Sequence, residues 1–266
     1  MKKVFLVLAL AALCLASCSK DKEADTLAKQ MLGKWMMSEF NGNLLPTNNK
    51  VVYTIVSTTD GFISASRIDY NSDHEMWTDH APSSIELEGS MITLYGSINK
   101  TTRFVAILDV KSIDDNKMVT ESTNRLYRNG ALVSETSGTV TWVKVKDDYS
   151  EAILGLWEGH ATSGEGSVFD DGKPHRWQYH NDGTYVYYSQ DADGNWQPQE
   201  SEFEEYFVDG TLLCTRWKNT GDGEEECREW WEIVSIGNGV MNWTALRQRD
   251  DSTTFNATFS MTKVNP

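Results

Sequence analysis

Several groups of residues in this 266-residue chain have types and spacings that could do chemistry. Glu202 and Glu204 lie two apart in a run that reads as a strand, so both carboxyls fall on one face. Paired carboxyls can serve acid–base chemistry, although acidic pairs at this spacing are also common on solvated strand faces. Asp191, Asp193, Asn195 and Glu202 match positions of a calcium loop, but Trp196 stands where that loop requires Gly. A polar hairpin tip therefore accounts better for these residues, and no metal is expected. His175 and His180 flank one short strand at odd separation and point to opposite faces, so they cannot share an ion. His-Glu-x-x-His, a phosphate loop, a dinucleotide fingerprint and a nucleophile elbow do not occur. The expectation is a non-enzymatic protein without a cofactor.

Cys214 and Cys227 lie on neighbouring predicted strands, equidistant from the turn Asn219-Thr220-Gly221-Asp222. Residues equidistant from a turn face each other across a hairpin. A cross-strand disulfide is expected, with two buried free thiols as the alternative.

Aromatic residues are the other chemically useful set. Seven of the ten Trp lie in the second half, which carries 8 basic and 21 acidic residues. Rings beyond the needs of a core can stack on sugars or line an apolar pocket. Trp177, Tyr187, Trp217, Trp231 and Trp243 are the candidate ligand contacts. Trp230 and Trp231 are adjacent on a strand and must face opposite sides. The formal charge of −15 argues against nucleic acid as a partner, because phosphate contacts need an excess of Lys and Arg.

The N-terminus reads as an address. Lys2 and Lys3 precede the apolar run Val4–Ala16, which is too short to span a bilayer but suits a signal core. Leu15-Ala16-Ser17-Cys18 resembles a bacterial lipobox, which implies cleavage after residue 17 and lipid on Cys18. Residues 18–26 read as a flexible tether. The acidic tether resembles the surface-export signals of Bacteroidota lipoproteins. The expected location is the outer membrane, lipid-anchored, at the cell surface or facing the periplasm.

The elements that position these residues come in two similar halves. Met31-Leu32-Gly33-Lys34-Trp35 and Ile153-Leu154-Gly155-Leu156-Trp157 share the pattern apolar-Leu-Gly-x-Trp, each after a short stretch of helical character. Each half also closes alike, on Trp142-Val143-Lys144 and Met261-Thr262-Lys263. Tandem domains over 27–147 and 148–266 follow. In the second half, Asn181-Asp182-Gly183, Asp209-Gly210 and Gly237-Asn238-Gly239 separate aromatic-rich strands as hairpin turns. Eight strands in meander order are expected there, beginning at Leu156 and ending at Val264. The first half gives a comparable list, including Ser84–Glu88 and Gly138–Lys146. The fold class is all-β: two eight-stranded antiparallel barrels, with a two-sheet sandwich as the alternative.

Gly33-Lys34-Trp35 and Gly155-Leu156-Trp157 resemble the Gly-x-Trp that opens the first strand of lipocalins and related calycin barrels. The whole pattern is similar to lipocalin-like lipoproteins of Bacteroidota. The resemblance implies that Lys144 and Lys263, in place of the usual Arg, pack over Trp35 and Trp157 to close each barrel. The Thr-Asp-Tyr turn of lipocalins is absent. The implied function is binding of a small apolar molecule or glycan by an envelope-anchored lipoprotein. The alternative is a structural or protein-interaction module with filled barrels.

Overall fold

The computed structural model describes residues 26–59, 61–70, 76–163, 172–221 and 223–264; for residues 62–70, 76–82 and 163 it describes the backbone alone. The expected signal, Cys18 and the tether up to residue 25 lie outside the described residues. Among the described residues, no helix is long and apolar enough to cross a membrane.

The chain is almost entirely β and divides into two compact units. The first contains the residues up to Leu44 and Tyr53–Lys144; the second contains Leu45–Val52 and Val145–Pro266. The first half was expected to keep residues 45–52. They belong to the second unit instead, where Lys50 pairs with Glu232 at 2.6 Å and the Leu246 N–H donates to Thr47 Oγ1 at 2.8 Å. The alternation of apolar and polar residues carries no sign of this excursion.

The first sheet holds β1 (Gly33–Phe40), β2 (Asn43–Leu44), β3 (Val52–Thr58), β4 (Gly61–Tyr70), β5 (Met76–Glu88), β6 (Met91–Ser97), β7 (Thr102–Ile113), β8 (Lys117–Arg128) and β9 (Ala131–Val145). Its order is β2-β1-β3-β4-β5-β6-β7-β8-β9, and β1 also pairs with β9, so the sheet curls back on itself. β5 and β9 run longer than the expected Ser84–Glu88 and Gly138–Lys146. The added part of β9 is a solvated hairpin arm, with Leu132 and Val133 each 53% exposed, so core patterning does not mark it.

The second sheet holds β10 (Gly155–Ser163), β11 (His175–Tyr179), β12 (Tyr185–Gln190), β13 (Trp196–Pro198), β14 (Ser201–Asp209), β15 (Leu212–Asn219), β16 (Cys227–Gly237), β17 (Val240–Gln248) and β18 (Thr254–Lys263). Its order is β13-β12-β11-β10-β18-β17-β16-β15-β14. The β16–β17 turn places Asn238 and Gly239 at φ +51° and +75°, the paired left-handed residues that a tight hairpin with right-handed twist demands. β12 and β14 meet through one bridge, Thr184 with Glu205, and through the Tyr206 N–H donating to Gly183 O at 2.8 Å. Each unit is therefore one antiparallel sheet around its own core, of nine strands where eight were expected, and the β1–β9 pairing curls the first.

The first core gathers Met31, Trp35, Ile92, Leu108, Met118 and Trp142. The second is more aromatic, with Trp157, Trp177, Tyr179, Trp231, Trp243 and Phe259. Inward residues alternate along each strand, as on β17, where Met241, Trp243 and Ala245 are buried.

Candidate ligand cavity of the second unit

Each unit begins and ends on the same local construction. The Met31 N–H donates to Leu27 O at 2.9 Å, and the Ile153 N–H to Tyr149 O at 3.0 Å, so one helical turn precedes each first strand. The following Trp is buried and donates its indole N–H back to that turn: Trp35 to Met31 O at 2.8 Å, Trp157 to Ile153 O at 2.6 Å. Lys144 Nζ stands 4.3 Å from the Trp35 ring centroid, and Lys263 Nζ 5.1 Å from that of Trp157. Lys144 also donates to Leu32 O. Gly33 and Gly155 have φ of +102° and +111°, and a Cβ on either would lie 3.1–3.2 Å from its lysine. Glycine is thus required twice over, by backbone and by space. The Trp indoles are spent on internal bonds, which makes Trp35 and Trp157 structural.

One cavity that could take a ligand lies in the second unit. It measures about 170 Å³ and is walled by the rings of Trp177, Tyr185, Tyr187 and Trp217. Gln199, Glu204, Thr215, Asn219 and Glu229 supply its polar surface. Strand alternation brings these residues together. Thr215 and Trp217 share the inward face of β15, and their register partners across β14 are Tyr206 and Glu204. Trp177 pairs with Tyr187 across β11 and β12.

Thr184, just before β12, bridges Glu205 of β14, and no ladder between these two strands follows among the described residues. The freed Tyr187 N–H donates to Glu204 Oε2 at 3.2 Å, and Tyr187 O accepts from Gln199 N at 2.8 Å. A side-chain carboxylate replaces the missing ladder carbonyl, as a buried backbone N–H requires. Burial lifts the Glu204 carboxyl to about 7, against the smaller opposing pull of the Tyr187 N–H and the Ser201 hydroxyl. Burial also raises Glu229, opposed by Arg247, whose guanidinium lies 2.8 Å away and 4.8 Å over the Trp231 ring. The Tyr185 phenol is held well above its ordinary range, first by burial and then by the charges of Glu204 and Glu229.

Of the candidate ligand contacts, Trp177, Tyr187 and Trp217 line this cavity. Trp231 and Trp243 do not. They are 2% and 3% exposed and pack at 5.5 Å against each other in the core, where Trp243 also meets Trp177 at 5.5 Å. Trp230 is half-buried on the opposite face from Trp231.

The pair Glu202 and Glu204 does not share a face. A register shift between Ser201 and Phe203 turns Glu202 outward, where Lys218 Nζ holds it at 2.8 Å. The expected disulfide is absent: Cys214 is buried, Cys227 is exposed, and neither is in a disulfide. Cys227 pairs with Trp217, and Cys214 with Trp230, three positions away. Residues 220–226 lie between β15 and β16, so the connection is longer than the expected turn and moves the register. The odd separation of 214 from 217 then puts the two sulfurs on opposite faces.

His175 is buried and its Nδ1 lies 2.7 Å from the Tyr187 hydroxyl, which fixes that ring in the wall. Asp191 builds the β12–β13 tip, accepting from the N–H groups of Asp193 and Asn195 at 3.0 and 2.9 Å. Among the described residues, no group of three or more His, Cys, Asp and Glu could hold a metal ion. Tyr185, Gln199, Thr215, Asn219 and Glu229 escaped the sequence reading. Their one signal is a polar residue at an inward register position, visible only once strand pairing is known.

No family model matches the chain, and no curated protein matches it. Nine solved chains match, among them a subtype N11 neuraminidase-like protein of A/flat-faced bat/Peru/033/2010 (H18N11). That likeness is 8% identity over 88% of this chain and 95% of the other, with a TM-score of 0.17. At that score it carries no argument about fold or activity.

Proposed function

We propose that this protein is a lipid-anchored envelope lipoprotein of two lipocalin-like barrels, and that the second barrel binds a small molecule. The observation that carries the reading is the aromatic-walled cavity bounded by Trp177, Tyr187 and Trp217. Its volume of about 170 Å³ is roughly that of a hole that takes up one benzene-sized molecule. Four rings with a few convergent polar groups are the usual furniture of a small-ligand site. The repeated Gly, Trp and Lys closure supports the lipocalin-like reading of both units. The lipobox at Cys18 supports anchoring to the outer membrane, with the barrels held in the periplasm or at the surface. No catalytic step is assigned to the chain.

Two measurements test this reading. Native mass spectrometry of the mature protein taken from membranes should show one small molecule bound per chain. Cys18→Ser should move the protein from the membrane to the soluble fraction. If no small molecule accompanies the protein or enters it on titration, the interaction-module reading with filled barrels takes its place.

A further inference from the structure

The geometry of the second-unit cavity points to an organic cation, a small ammonium-headed molecule, as its ligand; this rests on the binding function proposed above. Four aromatic residues line the space, and the negative potential over a ring face attracts a cation desolvated against it. The lining side chains that carry formal charge are both carboxyls, Glu204 and Glu229, and no Lys, Arg or His lines the cavity among the described residues. Glu229 is matched by Arg247 behind it at 2.8 Å. Glu204 meets no cation among the described residues. Its oxygens take the Tyr187 N–H at 3.2 Å and the Ser201 hydroxyl at 3.4 Å.

The Asn219 side-chain oxygen is buried in the same wall and accepts no hydrogen bond. The site therefore offers aromatic side chains and a carboxyl that meets no cation among the described residues. An anionic ligand would face two carboxyls. A neutral ligand would leave the half-buried Glu204 carboxyl without a partner of opposite charge. An ammonium group supplies the missing charge and turns its apolar substituents toward the rings. The volume of about 170 Å³ limits the occupant to a molecule of choline size.

The test titrates the full mature chain with choline, with its uncharged isostere 3,3-dimethylbutanol, and with glucose, following Trp fluorescence and heat. Choline is expected to bind saturably and at least tenfold more tightly than the isostere. Glu204→Gln keeps an oxygen for the Tyr187 N–H, and it should weaken choline at least tenfold while leaving the isostere within twofold. Glu202→Gln, on the outer face, should leave both titrations unchanged. Equal affinity for choline and the isostere, binding of glucose alone, or indifference of choline to Glu204→Gln would overturn the cation assignment and leave the cavity a binding site. Silence with all three probes would overturn both.

Discussion

The carboxyl of Glu204 accepts the backbone N–H of Tyr187 at 3.2 Å, on the strand edge where Tyr187 O accepts from Gln199 N at 2.8 Å and no ladder carbonyl meets that N–H. One side chain thereby satisfies the broken ladder and places a carboxyl in the cavity wall. The same contact links the stability of the second unit to its chemistry.

Glu204→Ala should leave the Tyr187 N–H without an acceptor and destabilise the second unit by about 1–3 kcal/mol. Glu204→Gln retains an oxygen at that place and should cost less than about 1 kcal/mol. Urea unfolding of the two variants checks this. Equal losses would refute the ladder role.

Burial raises the Glu204 carboxyl to about 7, from an ordinary 4.5. Between those values the folded chain holds a proton that the unfolded chain has released. The contribution of Glu204 to stability must therefore fall as pH rises through that window. Gln cannot titrate, so Tm of Glu204→Gln minus Tm of the parent should climb from pH 4.5 to 7 and then level off. A flat difference would contradict the raised carboxyl.

The two closures should respond alike, because their geometry repeats. Lys263→Met and Lys144→Met keep an apolar stem over Trp157 and Trp35 but lose the charge, at a cost of about 1 kcal/mol each. Gly155→Ala and Gly33→Ala should cost more, roughly 1–3 kcal/mol, since both backbones lie at positive φ and the new methyl crowds the lysine. Thermal unfolding of the four variants measures the comparison.

A thiol-reactive dye should find one accessible thiol, that of Cys227, in native protein beginning at Ser19, and a second, Cys214, only after unfolding. Burial and the neighbouring Glu224, Glu225 and Glu226 raise the Cys227 thiol, so its reaction should quicken as pH increases. A disulfide would yield no thiol in either state.

The turns and the closures were legible in the sequence. Asn238-Gly239 specifies a tight hairpin by its own backbone preference, and Gly155 with Trp157 specifies a strand start by adjacency. What escaped depends on register between strands. The bulge beside Ser201 separates Glu202 from Glu204, and the long connection after Asn219 separates Cys214 from Cys227. Neither shift follows from local propensity, because each is set by which partner strand satisfies the backbone. Trp231 and Trp243 carry the same residue type as Trp217, and depth in the unit alone distinguishes core rings from wall rings.

The central claim is that ligand enters the second unit at Trp177 and Trp217, whereas Trp35 and Trp157 hold each first strand to the turn before it. Indole N–H resonances in a ¹H–¹⁵N NMR titration with choline test it most directly. The Trp177 and Trp217 signals should move to saturation, while those of Trp35 and Trp157, bonded to Met31 O and Ile153 O, stay in place. Movement of the Trp35 and Trp157 signals ahead of the others, or no movement at all, would contradict the account.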